Sequence, residues 1–263
     1  KELLKFKPDD AEAYYNIGNT FKANNDSNAA IEYYQKAINS QPSYSEAYNN
    51  LGTTLMDKGE LDGAIINYKK ALSLKPDDAE IHYNIGNALQ NKGALDEAIE
   101  YYRIAIEIFP DYANAYNNIA VALKSRGELE AAIKCYNKVL KIKPDDANAY
   151  YNMGISLKNK GDFSAALDCY KRALEITPDY AEAHNNMGTV LIDMVELDAA
   201  IKCLQDALKI KPDYAEAYCN IGNALQEKGE LNAAINSYEK ALLITPNYPE
   251  VRHILASLTG ETT

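Results

Sequence analysis

AEIHYNIGNALQNKGALDEAIEYYRIAIEIFPDY, residues 79–112, decides the fold. His82, Ile85, Gly86 and Leu89 recur at i, i+3, i+4 and i+7, one face of a helix. Leu95, Ala98, Ile99, Tyr102, Ala105 and Ile106 trace the apolar face of a second. Gly93 separates the two, because glycine takes the left-handed conformation that ends a helix at no steric cost. Pro110 stops the second helix, having no N–H to donate and disfavouring helix in the residue before it.

The rest of the chain repeats this stretch. Prolines stand at 8, 42, 76, 110, 144, 178, 212 and 246, an unvarying interval equal to the length of the quoted stretch. Counting each unit from the third residue after its proline gives seven: 11–44, 45–78, 79–112, 113–146, 147–180, 181–214 and 215–248. Nothing lies between them, so no linker or interior domain boundary is expected. The Asp after most of these prolines suits a helix N-cap. In Asp9–Glu12, Asp77–Glu80, Asp179–Glu182 and Asp213–Glu216 a Glu follows at capping-box spacing.

Small residues show where the helices meet. Gly18, Gly52, Gly86, Ala120, Gly154, Gly188 and Gly222 share one slot of the first helix. Ala30, Ala64, Ala98, Ala132, Ala166, Ala200 and Ala234 share one of the second. Glycine inside a helix costs roughly 1 kcal/mol against alanine, so its recurrence calls for a packing reason, and close approach of the two backbones supplies one. Large residues fill the facing slots, among them Tyr14, Tyr48, His82, Tyr116, Tyr150, His184 and Tyr218, then Tyr34, Tyr68, Tyr102, Tyr136, Tyr170, Leu204 and Tyr238.

These slots resemble the aromatic, Leu/Ile-Gly/Ala, Ala, Tyr, Ala and Pro positions of the tetratricopeptide repeat family, in register through residues 11–248. The resemblance implies an all-α fold: an α-solenoid, a right-handed superhelix of stacked antiparallel helix pairs, with first helices lining a concave groove. It also implies a non-enzymatic scaffold that binds peptides or proteins. Departures are few. Asn25 and Val195 replace the turn glycine in the first and sixth units, and Val139 replaces an alanine. The Met194–Val195 turn is the one expected to be distorted or used for a contact.

Both ends carry a reading. Residues 1–10, KELLKFKPDD, align with the end of a second helix, KKALSLKPDD (69–78), so the chain begins inside a preceding, truncated repeat. It begins at Lys1 rather than Met, which points to a piece of a longer protein. Residues 249–263 read as a capping helix and tail, with Val251, Ile254, Leu255 and Leu258 covering the last unit and Gly260 as the stop.

Composition excludes several function classes. The net charge of −11 opposes a nucleic-acid partner, which needs clustered Lys and Arg, and opposes docking on an anionic membrane. A neutral or basic protein or peptide partner is favoured. No apolar run approaches the roughly 20 residues that span a bilayer, and no signal peptide is visible, so a cytoplasmic location is the default. Cys135, Cys169 and Cys203 recur at the unit spacing. Stacked helices lie roughly 8–10 Å apart, beyond the about 7 Å between Cα atoms that a disulfide spans, so thiols are expected rather than a bridge. No Ser/His/Asp set, phosphate loop or metal cluster is present, and no cofactor is expected. His82 and His184 sit in the core aromatic slot, where ring packing is the reading.

The candidate binding face comes from helical geometry. On the first helix, slots 4, 7, 8 and 11 of a unit pack inward, and slots 2, 5, 6, 9, 12 and 13 cluster opposite. Slot 6 is asparagine throughout: Asn16, Asn50, Asn84, Asn118, Asn152, Asn186 and Asn220. Asparagine is a poor helix former, and its amide offers both a donor and an acceptor to a peptide group. The array resembles the asparagine ladder in the tetratricopeptide superhelix of O-linked N-acetylglucosamine transferase. Two readings stand: the row grips a ligand backbone, or it bridges neighbouring repeats. Slot 5 adds Tyr15, Tyr83 and Tyr151, which stack on a ligand or pack on the next first helix. Slot 9 adds Asn19, Asn87 and Asn223, slot 12 adds Lys22, Lys124 and Lys158, and slot 2 adds Glu12, Glu46, Glu80, Glu182 and Glu216. A carboxylate clamp is not expected, because Tyr15, Asn49 or Tyr83 stands where that pattern wants Lys.

The leading expectation is therefore an interaction scaffold that takes an extended peptide or partner segment in its concave groove. Two alternatives accompany it. One is the substrate-recruiting arm of a larger enzyme, a glycosyltransferase or methyltransferase. The other is end-to-end self-association through the broken repeat at residues 1–7.

Overall fold

The computed structural model describes residues 10–259. The readings placed on residues 1–9 and on Gly260 to the C-terminus, including the truncated repeat, the Asp9 cap and the Gly260 stop, lie outside them. Fifteen helices and no strand are found among the described residues. They are α1 (Ala11–Ala23), α2 (Ser27–Ser40), α3 (Ser45–Asp57), α4 (Leu61–Leu74), α5 (Ala79–Asn91), α6 (Leu95–Ile108), α7 (Ala113–Ser125) and α8 (Leu129–Ile142). Then come α9 (Ala147–Lys160), α10 (Phe163–Ile176), α11 (Ala181–Asp193), α12 (Leu197–Ile210), α13 (Ala215–Glu227), α14 (Leu231–Ile244) and α15 (Pro249–Thr259). The helices group into two compact units, one ending at Arg126 after α7 and the other beginning at Gly127 before α8. The repeat period has no break there, so this division belongs to the packing and is not announced by the sequence.

Within each unit a first helix packs on the second helix of its pair, and that second helix on the next first helix. The glycine slot has a different cause from the one expected. A Cβ built on Gly86 would lie 2.5 Å from the Tyr102 ring, one on Gly154 2.6 Å from Tyr170, and one on Gly222 2.5 Å from Tyr238. The glycine makes room chiefly for a ring lying over the first helix, and only secondarily for the partner backbone. Those rings are fully buried, as are Tyr34 and Tyr68. At the last pair, Val251 of α15 is buried against a cluster containing Tyr238 and Ala241, with Ile254, Leu255 and Leu258 packed beside it.

The caps also differ from expectation. Asp78, one residue beyond Asp77, has the extended backbone of an N-cap and accepts from the amides of Glu80 (3.0 Å) and Ile81 (3.2 Å). Asp10 caps α1 and Asp146 caps α9 in the same way. The proline and the residue after it form a turn, so the extended conformation an N-cap needs falls one residue later. The capping boxes predicted from Asp77, Asp179 and Asp213 therefore do not form. In four units the true cap position holds Tyr44, Tyr112, Tyr180 or Tyr214, whose side chains cap nothing.

The Met194–Val195 turn keeps its geometry. Val195 has φ 62°, beside φ 80° at Gly229 in the next pair. Its amide bonds to Ile192 at 2.8 Å and that of Glu196 to Leu191 at 2.8 Å, matching Gly229 to Gln226 and Glu230 to Leu225 at 2.9 Å each. The turn is thus strained rather than distorted, since a β-branched residue at positive φ is a steric outlier.

Candidate functional site

The outward face of the first helices is built from two kinds of junction. In the first kind a slot 5 tyrosine is enclosed by rings. Tyr15 lies 5.0 Å from the ring centre of Tyr44 and 6.0 Å from Tyr34. Tyr83 lies 4.9 Å from Tyr112 and 5.7 Å from Tyr102, and Tyr151 lies 4.8 Å from Tyr180 and 6.1 Å from Tyr170. The slot 6 asparagine of the following repeat donates its Nδ2 to the phenol: Asn50 to Tyr15 at 3.0 Å, Asn118 to Tyr83 at 3.2 Å, and Asn186 to Tyr151 at 3.1 Å. The three tyrosines are half-buried packing elements in this state.

In the second kind, an asparagine replaces the tyrosine. Asn84 donates to Asn49 Oδ1 at 3.1 Å, and Asn220 to Asn185 Oδ1 at 3.0 Å. Asn185 is fully buried and passes the chain on, donating to Glu216 Oε1 at 3.1 Å. Of the remaining slot 6 residues, Asn152 donates to the Asn148 carbonyl of its own helix at 2.9 Å, and Asn16 is exposed.

The slot 9 asparagines face inward with their carbonyls. Asn19 Oδ1 accepts from the buried Tyr34 phenol (2.8 Å) and from Asn50 (2.9 Å). Asn87 Oδ1 accepts from Tyr102 (2.9 Å) and Asn118 (2.8 Å), and Asn223 Oδ1 from Tyr238 (2.8 Å). Where Ile155 takes this place, the buried Tyr170 phenol has no partner among the described residues. The slot 12 lysines divide as well. Burial lowers the affinity of the Lys22 and Lys124 amines for their proton, with Asp57 partly offsetting this at Lys22. Lys158 Nζ donates to Thr189 Oγ1 of the next first helix at 2.7 Å. The His82 ring nitrogen meets Pro76 O at 3.0 Å, and the ring is buried beside Tyr101, a packing role.

The face is consequently rich in acceptors. Five slot 6 amides commit Nδ2 to the preceding repeat, while the Oδ1 of Asn50, Asn84, Asn118, Asn186 and Asn220 accepts no hydrogen bond among the described residues. Tyr15, Asn49 and Asn50 line a pocket of about 160 Å³ together with Glu46, Glu80 and Ile81. Sequence reasoning missed Tyr44, Tyr112 and Tyr180. Their signal was available: each closes a unit in which a slot 5 tyrosine stands, and the two sets recur together in the first, third and fifth units.

A tetratricopeptide repeat family model matches residues 52–93, 122–161, 156–195 and 196–229, more than half of the chain. Two further models of the repeat match 11–44, 79–112 and 215–248, and 33–66 and 101–134. The chain belongs to the tetratricopeptide repeat family. Among solved structures it is similar to a MamA protein at 32% identity, covering 65% of this chain and 94% of that one, with a TM-score of 0.60. It resembles YrrB, described as a tetratricopeptide repeat protein with an unusual peptide-binding site, at 24% identity, 71% and 96% coverage and a TM-score of 0.60. A tetratricopeptide repeat protein from Parabacteroides merdae overlays 95% of this chain and 98% of its own, at 18% identity and a TM-score of 0.70. At their lower identities, these last two speak for the fold alone. A search of curated proteins gave no match.

Tetratricopeptide repeats make this chain a scaffold for protein interactions, a class that is generally non-catalytic. Among the described residues no helix is long and apolar enough to cross a membrane.

Proposed function

We propose that the tetratricopeptide face formed by the first helices binds an extended peptide or partner segment of neutral or basic character. The observation that carries this is the set of asparagine carbonyl oxygens left open where Nδ2 is spent on the neighbouring repeat, those of Asn50, Asn84 and Asn118 in one compact unit and of Asn186 and Asn220 in the other. Such a set accepts from backbone N–H groups whatever the ligand's side chains, while Glu80 beside it favours basic residues. The amide is thus not a two-way clamp: its donor holds the junction and its acceptor meets the ligand. YrrB, with its peptide-binding site, is consistent with the reading without deciding it.

A peptide array comparing the native chain with Asn84→Ala/Asn118→Ala tests it. Loss of most bound peptides is the expected outcome. Urea unfolding of the same variant separates lost contacts from a loosened junction. Unchanged binding in the double variant would remove the ladder from the account.

A further inference from the structure

The stretch 79–112 departs from its sister repeats at two surface positions. Where the others have Lys36, Lys70, Lys138, Arg172, Asp206 and Lys240, it has Ile104; where they have Gln41, Lys75, Lys143, Thr177, Lys211 and Thr245, it has Phe109. Phe109 is 51% exposed, and Ile104 and Ile108, one helical turn apart, are 37% exposed each. Water-facing aromatic surface at a position otherwise polar is not explained by the stack, which the polar residues serve equally well.

Phe109 also walls a pocket of about 730 Å³ with Pro76, Asp77, Asp78, Glu80 and Tyr112. Its ring centre lies 5.7 Å from that of Tyr112. Lys75, the cation among the lining residues, is paired with Glu46 at 2.5 Å and also interacts with Asp78, so one cation already shared with Glu46 stands against the three carboxylates of Asp77, Asp78 and Glu80. The molecule contains its own control. Two repeats on, a pocket of about 490 Å³ is lined by Pro144, Asp145, Asp146, Asn148, Ile176 and Thr177. It has no aromatic wall and lacks the third carboxylate.

We propose that the Phe109 pocket docks an arginine side chain of a partner protein, with an aliphatic neighbour of that arginine resting on Ile104 and Ile108. A guanidinium is planar and weakly hydrated, stacks on aromatic faces and pairs with carboxylates at its edge. Phe109 and Tyr112 supply the faces, and Asp77 and Glu80 the edge partners. A compact ammonium matches this arrangement less well, and an acidic segment is repelled. The pocket sits at the end of a second helix and shares Glu80 with the asparagine face, while Phe109 and Asp77 line this pocket and not the one at Asn49 and Asn50.

Fluorescence anisotropy with a labelled Arg-Leu-Arg-Leu peptide and its Lys and Glu counterparts provides the test. The expected result is binding in the order Arg, Lys, Glu, weakened about tenfold or more by Phe109→Thr and several-fold by Asp77→Asn, and falling with salt. Both are surface changes, and circular dichroism verifies the fold. Asn84→Ala/Asn118→Ala should leave this affinity unchanged. Equal affinity in Phe109→Thr, equal binding of the Glu peptide, or no binding at millimolar peptide would each overturn the proposal. Loss in the asparagine variant alone would place the peptide on the other face and do the same.

Discussion

The tyrosine junction and the asparagine junction solve one packing problem with different chemistry. At Tyr83 the neighbouring first helices are joined by an aromatic cluster with a phenol at its rim, reached by Asn118. At Asn49 they are joined by a single amide–amide hydrogen bond from Asn84, and the residue that would be the second ring is Asp78, which caps α5 instead. Through the first five repeats the choices at slot 5 and at the cap position are made together, so the sequence repeats over one pair of helices while the chemistry alternates over two. The sixth repeat breaks the pairing, setting Asn185 with Tyr214. A ring at the cap position gives up the capping carboxylate, and the slot 5 ring is what it gains in exchange.

This difference makes pH the strongest lever, because it acts on several buried tyrosines at once. Burial pushes Tyr34, Tyr68, Tyr112 and Tyr180 up to about 12 from an ordinary 10.0. Above pH 10 the unfolded chain releases phenolic protons that the folded chain retains, so it binds fewer protons and stability falls as pH rises towards 12. Tyrosinate absorbance and loss of helical circular dichroism should therefore rise together in that window. Helical circular dichroism unchanged up to pH 12 would show that these rings are not held as described.

Mutation sharpens the comparison one junction at a time. Tyr83→Ala should cost about 3 kcal/mol in urea unfolding, through lost burial and an unfilled space. Asn118, within reach of Tyr83, Asn87 and Tyr102, should lose about 1–2 kcal/mol on change to alanine, against about 1 kcal/mol or less for Asn84 with its single partner. Asn49→Ala should cost about 1 kcal/mol, the worth of one hydrogen bond. The Tyr83/Tyr112 double-mutant cycle should show a coupling of about 1 kcal/mol for the paired rings. Equal costs for Tyr83→Ala and Asn49→Ala would mean that the alternation is only a sequence pattern.

The helices and their faces were legible because they depend on short-range patterns: apolar spacing, Gly93 and Pro110. Gly86 was legible as a position requiring smallness, but not what filled the space, because a backbone and the ring of Tyr102 exclude a Cβ alike. The cap was misplaced by one residue, since Pro76-Asp77 and Asp77-Asp78 look the same as strings and only the turn geometry separates them. Helical spacing groups the slots on one side of the first helix, but it does not show that Asn19, Asn87 and Asn223 turn their carbonyls inward to buried phenols, nor what Asn84 does. Whether its amide faces a ligand or a neighbour depends on Asn49 in the preceding repeat, and so on how one repeat stacks on the next.

Val195 gives the smallest and most pointed test. Elsewhere the residue before the turn and one from the preceding repeat form a charged rung: Lys92 with Asp62 at 2.5 Å, Lys160 with Glu130 at 3.5 Å, Lys228 with Asp198 at 2.7 Å. At the sixth repeat the corresponding residues are Met194 and Ser164, and Val195 is 73% exposed at positive φ. Val195→Gly relieves strain of about 1 kcal/mol or more but frees the unfolded chain by part of that amount. The net expectation is a gain of about 0.5 kcal/mol in urea unfolding. Met194→Lys with Ser164→Asp should add no more than about 0.5 kcal/mol, and lose it in high salt, because both groups are in water. If Val195→Gly instead destabilises the chain, the valine is making contacts that outweigh its strain, and the turn is held by packing rather than by the backbone bonds it shares with its glycine counterparts.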